Sequence, residues 1–266
     1  DLTDSQTIDL GGRSLGRLLR APFSRAHYVA ALNVLTRASA PLRWMKLYLF
    51  DRGGYPCVAD SATPTGRVTL DLTNKYDMKT FHEVFFREDY LCPNDIKVFV
   101  DIGANIGVAS LYFLTRNDDA VGYLFEPDPK NVRRLSDILA DHRARYELSD
   151  AAVGVEDGVV TLLTEPSGRF GTTLRDRAHP KSDGSVQVPL RDVNGLLAEI
   201  LARHPRIDVL KIDIEGLEAP VLNHADRSLL KKVDLIVAEC SGRELELPDH
   251  EIRQYGSVAR CRRKAA

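Results

Sequence analysis

The sequence lacks any apolar run near the ~18 residues a membrane span needs. Its apolar N-terminal stretches are broken by Arg13, Arg17, Arg20 and Arg25 before the core of a secretory signal forms. No membrane span is expected, and a cytoplasmic location is. Cysteine is scarce: Cys57, Cys92, Cys240 and Cys261 form no CxxC pair, and no histidine stands near them in a zinc pattern. Free thiols in a reducing compartment are therefore expected. An excess of one charge is missing too. Lys and Arg number 36 against 38 Asp and Glu, a formal net charge of −2, so no global field draws the chain to nucleic acid or acidic lipid. There is no internal repeat and no low-complexity tract.

What is present reads as an ordinary globular chain. Its 266 residues are 44% hydrophobic and 28% charged, enough to bury a sizeable core in one large domain, or one domain with an appendage. Residues 1–12 look like a loose start. Over 14–37 the apolar Leu15, Leu18, Leu19, Val29, Leu32 and Leu35 recur at roughly helical spacing, with Pro22 dividing two helices. Residues 44–51 and 67–72 alternate like strands of a hairpin, punctuated by Gly53 and residues 63–66. These pieces predict an N-terminal helical and hairpin extension, 1–75, ahead of a main domain, 76–266, which opens on a helix at 77–90.

From residue 97 the pattern changes. Apolar runs at 97–102, 121–125, 145–148, 159–163, 209–214 and 235–238 alternate with helical stretches at 108–115, 130–142 and 193–203. That alternation predicts an α/β fold with a central, mostly parallel sheet and helices on both faces. Ligands on such sheets bind at the carboxyl ends of the strands, where strand order reverses. After Cys240, 248–255 reads as a helix and 257–261 as one strand; the second strand that would complete the sheet is not found. Residues 165–173, with Gly168, Phe170 and Gly171, read as a lid or a plain mobile loop.

The segment 98–107, VFVDIGANIG, turns a strand into a helix through glycines. Glycines there let the backbone pass close to a ligand, but this alone is shared by many nucleotide binders. From Gly103 the loop reads GANIG, with Asn105 where a dinucleotide fold has the glycine that admits a pyrophosphate. Asp101 stands beside the loop, where a carboxylate repels phosphate and suits an ammonium group. Glu126 ends the next strand, where an acid accepts hydrogen bonds from ribose hydroxyls. S-adenosylmethionine, with an amino group, a sulfonium and no phosphate, fits these features.

Four segments in order, VFVDIGANIG, FEPDPKN (125–131), AAVGVEDG (151–158) and LKIDIEGLE (210–218), resemble the FkbM family of S-adenosylmethionine-dependent methyltransferases. The resemblance covers roughly 76–240, about three fifths of the chain. It implies a Rossmann-like class I methyltransferase fold and O-methylation of a sugar or secondary metabolite. It also implies that Asp101, Gly103, Asn105 and Gly107 border the methionine part of the cofactor and that Glu126 holds the ribose. Pro127 and Asp128 would line the edge of the adenine pocket, and Asp150 and Ala151 would meet the adenine amino edge.

Along 210–215, Lys211, Asp213 and Glu215 point to one face and Leu210, Ile212 and Ile214 to the other. A buried lysine needs a carboxylate, which Asp101 or Glu239 would supply. Asp213 and Glu215 are candidates for the base that takes a hydroxyl proton, or for ligands of a divalent metal, which the sequence permits but does not require. Glu215 also reads as a helix N-terminal acid. His224 is a further candidate base. The expected partner is a small-molecule acceptor with a hydroxyl group, not nucleic acid; a homo-oligomer is left open. A methyltransferase on nucleic acid or peptide, and a non-catalytic S-adenosylmethionine-binding module, are the alternatives.

Overall fold

A computed structural model of the chain describes residues 25–50, 54–164, 172–173 and 184–265. The helical reading of 14–24, Gly53, and most of the lid read at 165–173 lie outside the described residues. The chain divides into two compact units, Asp1–Asp89 and Tyr90–Ala266, so the helical segment read at 77–90 goes with the first unit up to Asp89.

In the first unit α1 spans Arg25–Arg37 and α2 spans Pro41–Phe50. Residues 44–51, expected as a strand, are thus mostly helical. Pro41 opens α2 with its φ already set for a helix, and Trp44 and Leu47, three residues apart on one face, are both buried. The hairpin exists, but β2 (Gly66–Leu72) pairs with β1 (Cys57–Thr63), in the register Cys57↔Leu72 to Thr63↔Gly66. The inward face of β1 carries Ala59 and Ser61, too small and polar to give an alternating hydropathy signal. The helix α3 (Lys75–Phe81) is capped by Asn74, whose Oδ1 accepts from the amides of Tyr76 and Asp77. It continues as a π-helical turn over His82–Phe86. Phe81 and Phe86 pack against Trp44, with ring centroids 5.4 and 5.2 Å away. Trp44 Nε1 donates to His82 Nδ1 at 3.1 Å.

The second unit begins with β3 (Val98–Ile102), α4 (Val108–Leu114), β4 (Val121–Phe125), α5 (Pro129–Ile138) and β5 (Tyr146–Ser149). Next come β6 (Ala152–Gly154), β7 (Gly158–Thr164), β8 (Thr172–Thr173), β9 (Gly184–Asp192) and α6 (Val193–Arg203). It ends with β10 (Ile207–Ile212), α7 (Glu218–His224), α8 (Arg227–Leu230), β11 (Val233–Ala238), β12 (His250–Tyr255) and β13 (Val258–Arg263). Seven of these strands form the central sheet in the order β12-β13-β11-β10-β3-β4-β5. Neighbours from β11 to β5 are parallel. β13 runs antiparallel to both β11 and β12, so it alone is reversed within this sheet.

Every residue of β3 and β10 is buried, as strands covered on both faces require. Val98, Val100 and Ile102 join a core with Leu196 and Ile200 of α6 and Val221 and Leu222 of α7. Phe99 points the other way and meets Phe113 of α4, ring centroids 5.2 Å apart. Helices therefore cover both faces, as in a class I methyltransferase. The chain winds from β3 to β4 and β5 on one side and from β10 to β11 on the other. The switch point lies between β3 and β10, and open α/β sheets bind ligands there.

Two local expectations change. The run at 159–163 is β7 of a separate sheet, ordered β6-β9-β7-β8, inserted between β5 and α6. Residues 248–255 are not a helix. They form β12, turned back into β13 by Gly256, which sits at φ 63 in a two-residue hairpin loop. β12 is the edge strand and exposes Glu251, Arg253, Gln254 and Tyr255, a polar face of the kind that blunts sheet edges and that mimics a solvated helix in sequence. Both closing strands are present, and the connection from β11 to β12 holds only a 3-10 turn, Gly242–Glu244. Among the described residues no helix is long and apolar enough to cross a membrane.

The Phe99 ring fills the space above Gly122, where a Cβ would lie 2.4 Å from Phe99 Cζ. Phe99→Ala is expected to lower stability by about 3–5 kcal/mol, read from guanidinium unfolding midpoints. An unchanged midpoint would show that this face is not close-packed.

Candidate active site at the strand carboxyl ends

The site is built over a buried charge. Lys211 on β10 and Asp101 on β3 are register partners, and Lys211 Nζ lies 3.0 Å from Asp101 Oδ1. The ammonium donates to Gly103 O at 2.5 Å and lies 3.7 Å from Asp213 Oδ2. Burial works against its charge, but Asp101 and Asp213 outweigh burial and hold the lysine pKa above its ordinary value. Ser110 Oγ donates to Asp101 Oδ2 at 2.6 Å. Of the two carboxylates anticipated for Lys211, Asp101 is the one in place. Asp101 is fully buried and is not among the described residues that line the cleft; its carboxylate faces the lysine.

Gly103, Asn105 and Gly107 take left-handed conformations, with φ of 76, 51 and 87. The glycine at 103 is required by the chain itself: a Cβ there would lie 1.9 Å from Asp213 O. At 107 a Cβ would meet Leu135 Cγ at 3.0 Å, so Gly107 permits α4 and α5 to approach and is not on the cleft wall. Asparagine tolerates the left-handed region, and Asn105 Oδ1 accepts from the Ile106 amide at 2.7 Å. The amides of Gly103 and Ala104 both donate to Phe125 O, at 2.9 and 3.0 Å, tying the loop to the end of β4.

There the next acid begins. Glu126 accepts from the amides of Asn105 (2.8 Å) and Asp128 (2.9 Å) and from Asn131 Nδ2 (3.3 Å). Burial raises its pKa, and these hydrogen bonds oppose the rise without cancelling it. A second buried acid shapes the opposite rim. Glu218 accepts from the amides of Ile214 (2.8 Å) and Gly216 (2.9 Å), and burial pushes its pKa up. The loop it holds places Glu215 at φ 54 and Gly216 at φ 91, and a left-handed glutamate is a local strain of the kind found at functional sites. The helix N-terminal acid is Glu218, in the first turn of α7, while Glu215 faces the cleft.

The cleft between these rims has an open volume of about 720 Å³. Of the residues singled out in the sequence, Gly103, Asn105, Glu126, Pro127, Ala151, Asp213 and Glu215 line it. Asp128 instead caps α5, its Oδ1 accepting from the Lys130 amide at 2.8 Å. Asp150 is exposed and lies off the wall. His224 ends α7, about 10 Å of helix from its start, and pairs with Asp192 at 3.4 Å, so it is not assembled with the candidate bases. Sequence reasoning missed Asn131, although it closes the FEPDPKN segment, and Val153 and Leu162, which the second sheet brings to the wall. Asp213 accepts from Tyr90 OH at 3.2 Å. Among the described residues no group of three His, Cys, Asp or Glu is clustered to hold a metal.

The model of the Methyltransferase FkbM domain matches residues 101–259. The chain belongs to the FkbM methyltransferase family. This FkbM chain is 25% identical over 197 residues to Methyltransferase 1 of Beauveria bassiana, covering 67% of this chain and 76% of that protein. It is 28% identical over 191 residues to the AMB antimetabolite synthetase AmbE of Pseudomonas aeruginosa, covering 59% of this chain and 9% of that protein. Against the crystal structure of Methyltransferase FkbM from Methylobacillus flagellatus KT the TM-score is 0.43 at 15% identity, over 69% of this chain and 53% of that one. The family implies S-adenosylmethionine, and the cleft fits it. Glu126, Asp213 and Glu215 line the walls, with no Lys or Arg among the described lining residues, an arrangement suited to a cationic ligand without phosphates.

Removing the lysine strands a buried carboxylate. Lys211→Met is expected to destabilise the FkbM chain by about 3–5 kcal/mol, and the double variant with Asp101→Asn by less than the sum of the two singles. Additive effects in denaturant titrations would mean that the pair is not coupled.

Proposed function

We propose that this protein transfers a methyl group from S-adenosylmethionine to a hydroxyl of a small acceptor, a sugar or a glycosylated secondary metabolite. The observation that carries the reading is the wall of three carboxylates at the switch point of a methyltransferase sheet. The kinship with an antimetabolite synthetase supports a secondary-metabolite setting.

The residue roles follow from position. Glu126, fixed by two amides and Asn131, has acceptor capacity left for the ribose hydroxyls. Ala151, Val153 and Leu162 offer an apolar wall to the adenine. Glu215 and Asp213 set a negative potential beside the sulfonium. The cofactor supplies a methyl group on positively charged sulfur. Asp213 is the base: both of its side-chain contacts, from Tyr90 and Lys211, go to Oδ2, leaving Oδ1 to take the hydroxyl proton as oxygen attacks carbon. Tyr90 is buried beside Asp213, and its phenol pKa stands well above the ordinary value, first through burial and then through the neighbouring carboxylates. The phenol therefore stays protonated and donates.

Calorimetric titration should show binding of S-adenosylhomocysteine and none of NAD. Glu126→Gln is expected to weaken S-adenosylhomocysteine about tenfold or more. Asp213→Asn should leave that affinity within a few-fold while lowering kcat by about 10²–10⁴. Well-folded protein that gives no heat with S-adenosylhomocysteine would sink the reading. Full activity in Asp213→Asn would remove the base assignment.

A further inference from the structure

A second cleft opens at the same edge of the central sheet. Its open volume is about 1160 Å³, and Glu239, Cys240, Ser241, Arg243 and Ser257 are on its walls. These residues belong to the segment just after β11 and to the turn between β12 and β13. Because β12 runs parallel to β11, both parts lie at the carboxyl end of the sheet, on the side of β10 away from Glu126.

Each cleft has a wall residue at one of two neighbouring strand ends, Asp213 in the first and Glu239 in the second. β10 and β11 pair in the register Ile212↔Ala238, so Asp213 and Glu239 are the next residues of adjacent parallel strands, which lie about 4.8 Å apart. The Glu239 amide donates to Ile212 O at 3.2 Å, carrying the pairing to this edge. Displacement at a methyl carbon is in line, so the attacking oxygen must come from the side opposite the sulfur. The first cleft runs from the end of β10 towards β4 and the 151–153 segment; the second lies beyond the end of β11, on the other side of β10.

The second cleft is also a formed surface. Gln254 ties its two sides together: its Oε1 accepts from the Gly242 amide at 2.8 Å, and its Nε2 donates to Cys240 O at 3.2 Å and Gly256 O at 2.9 Å. Ser257 Oγ donates to Glu239 Oε1 at 3.0 Å, linking hairpin turn and strand end. A carboxylate, a guanidinium and hydroxyls then stand around Ile252, a mixture of acceptors, donors and one apolar contact that matches a ring bearing several hydroxyls.

We infer that this cleft is the acceptor subsite and holds a polyhydroxylated, sugar-like ring, with Glu239 accepting from its hydroxyls and Arg243 and Ser241 donating to them. The inference rests on the proposed methyl transfer at Asp213.

Cys240 is a built-in reporter, a half-buried free thiol on the cleft wall. Burial pushes its pKa up to about 11, so labelling with iodoacetamide is best run at about pH 9. The test uses the full chain saturated with S-adenosylhomocysteine and a panel of monosaccharides, disaccharides and methyl glycosides. Peptide mass spectrometry follows Cys240, with Cys57 as the control; methylation of the same panel is scored in parallel with S-adenosylmethionine. A saccharide that is methylated should slow Cys240 labelling at least about threefold, leave Cys57 unchanged, and lose about tenfold in affinity in Arg243→Ala with S-adenosylhomocysteine affinity intact. Methylation of a saccharide without protection of Cys240 overturns the subsite and leaves the methyltransfer reading standing. S-adenosylhomocysteine binding with no protection by any member of the panel overturns the subsite likewise. Absence of S-adenosylhomocysteine binding overturns the reading beneath it.

Discussion

One ammonium group organises the carboxyl end of the sheet. Lys211 is buried in a central strand, and its three oxygen neighbours belong to different parts of the site: Asp101 on β3, the carbonyl of Gly103 in the loop, and Asp213 beyond β10. Buried ion pairs add little net stability when compared with a well-packed apolar substitute. What this one supplies is a fixed relation between two strand ends. Its removal would take from the loop carbonyl and from Asp213 the cation that they share. The rest of the cleft then follows: Asp213 O occupies the space that Gly103 leaves empty, and the loop beyond Gly103 is bonded to β4 and Glu126.

The two rims share a device. On each, a buried glutamate gathers backbone amides: Glu126 those of Asn105 and Asp128, Glu218 those of Ile214 and Gly216. Burial disfavours the charge of both, and the amides compensate in part. Loops formed in this way need left-handed residues, and they appear at Asn105 on one side and at Glu215 and Gly216 on the other. The cleft thus gains shape from acids that are partly or wholly committed to the protein, and negative potential from acids that face it.

Much of the central sheet was legible because its strands are apolar runs ended by polar turns; β4 and α6 have the bounds that the pattern suggests. Asp213, Glu126 and Ala151 reach the cleft for the same reason, since strand ends converge at the switch point. The direction of individual side chains was not legible. Asp101 could be read as a partner of Lys211, its register partner on the neighbouring strand, but not as a residue buried off the cleft wall. The edges misled in another way. α2 and β12 each carry a mixture of polar and apolar residues whose period is ambiguous over so short a span, and only their neighbours decide: Trp44 must reach Phe81 and Phe86, and β12 must cover β13. The small residues of β1 and the inserted second sheet carried too little hydrophobic signal to announce their pairing.

The crossing from β11 to β12 has a consequence for how such a scaffold diversifies. It is made by a short segment with a single 3-10 turn. The segment is anchored at both ends by sheet pairing and braced by one glutamine. The cleft at the switch point is lined from β3, β4, the second sheet and the loop after β10, and among the described residues none of this crossing lines it. Length and composition here are therefore independent variables of the scaffold, free to be rewritten by insertion while the charge framework under the glycine loop stays unaltered.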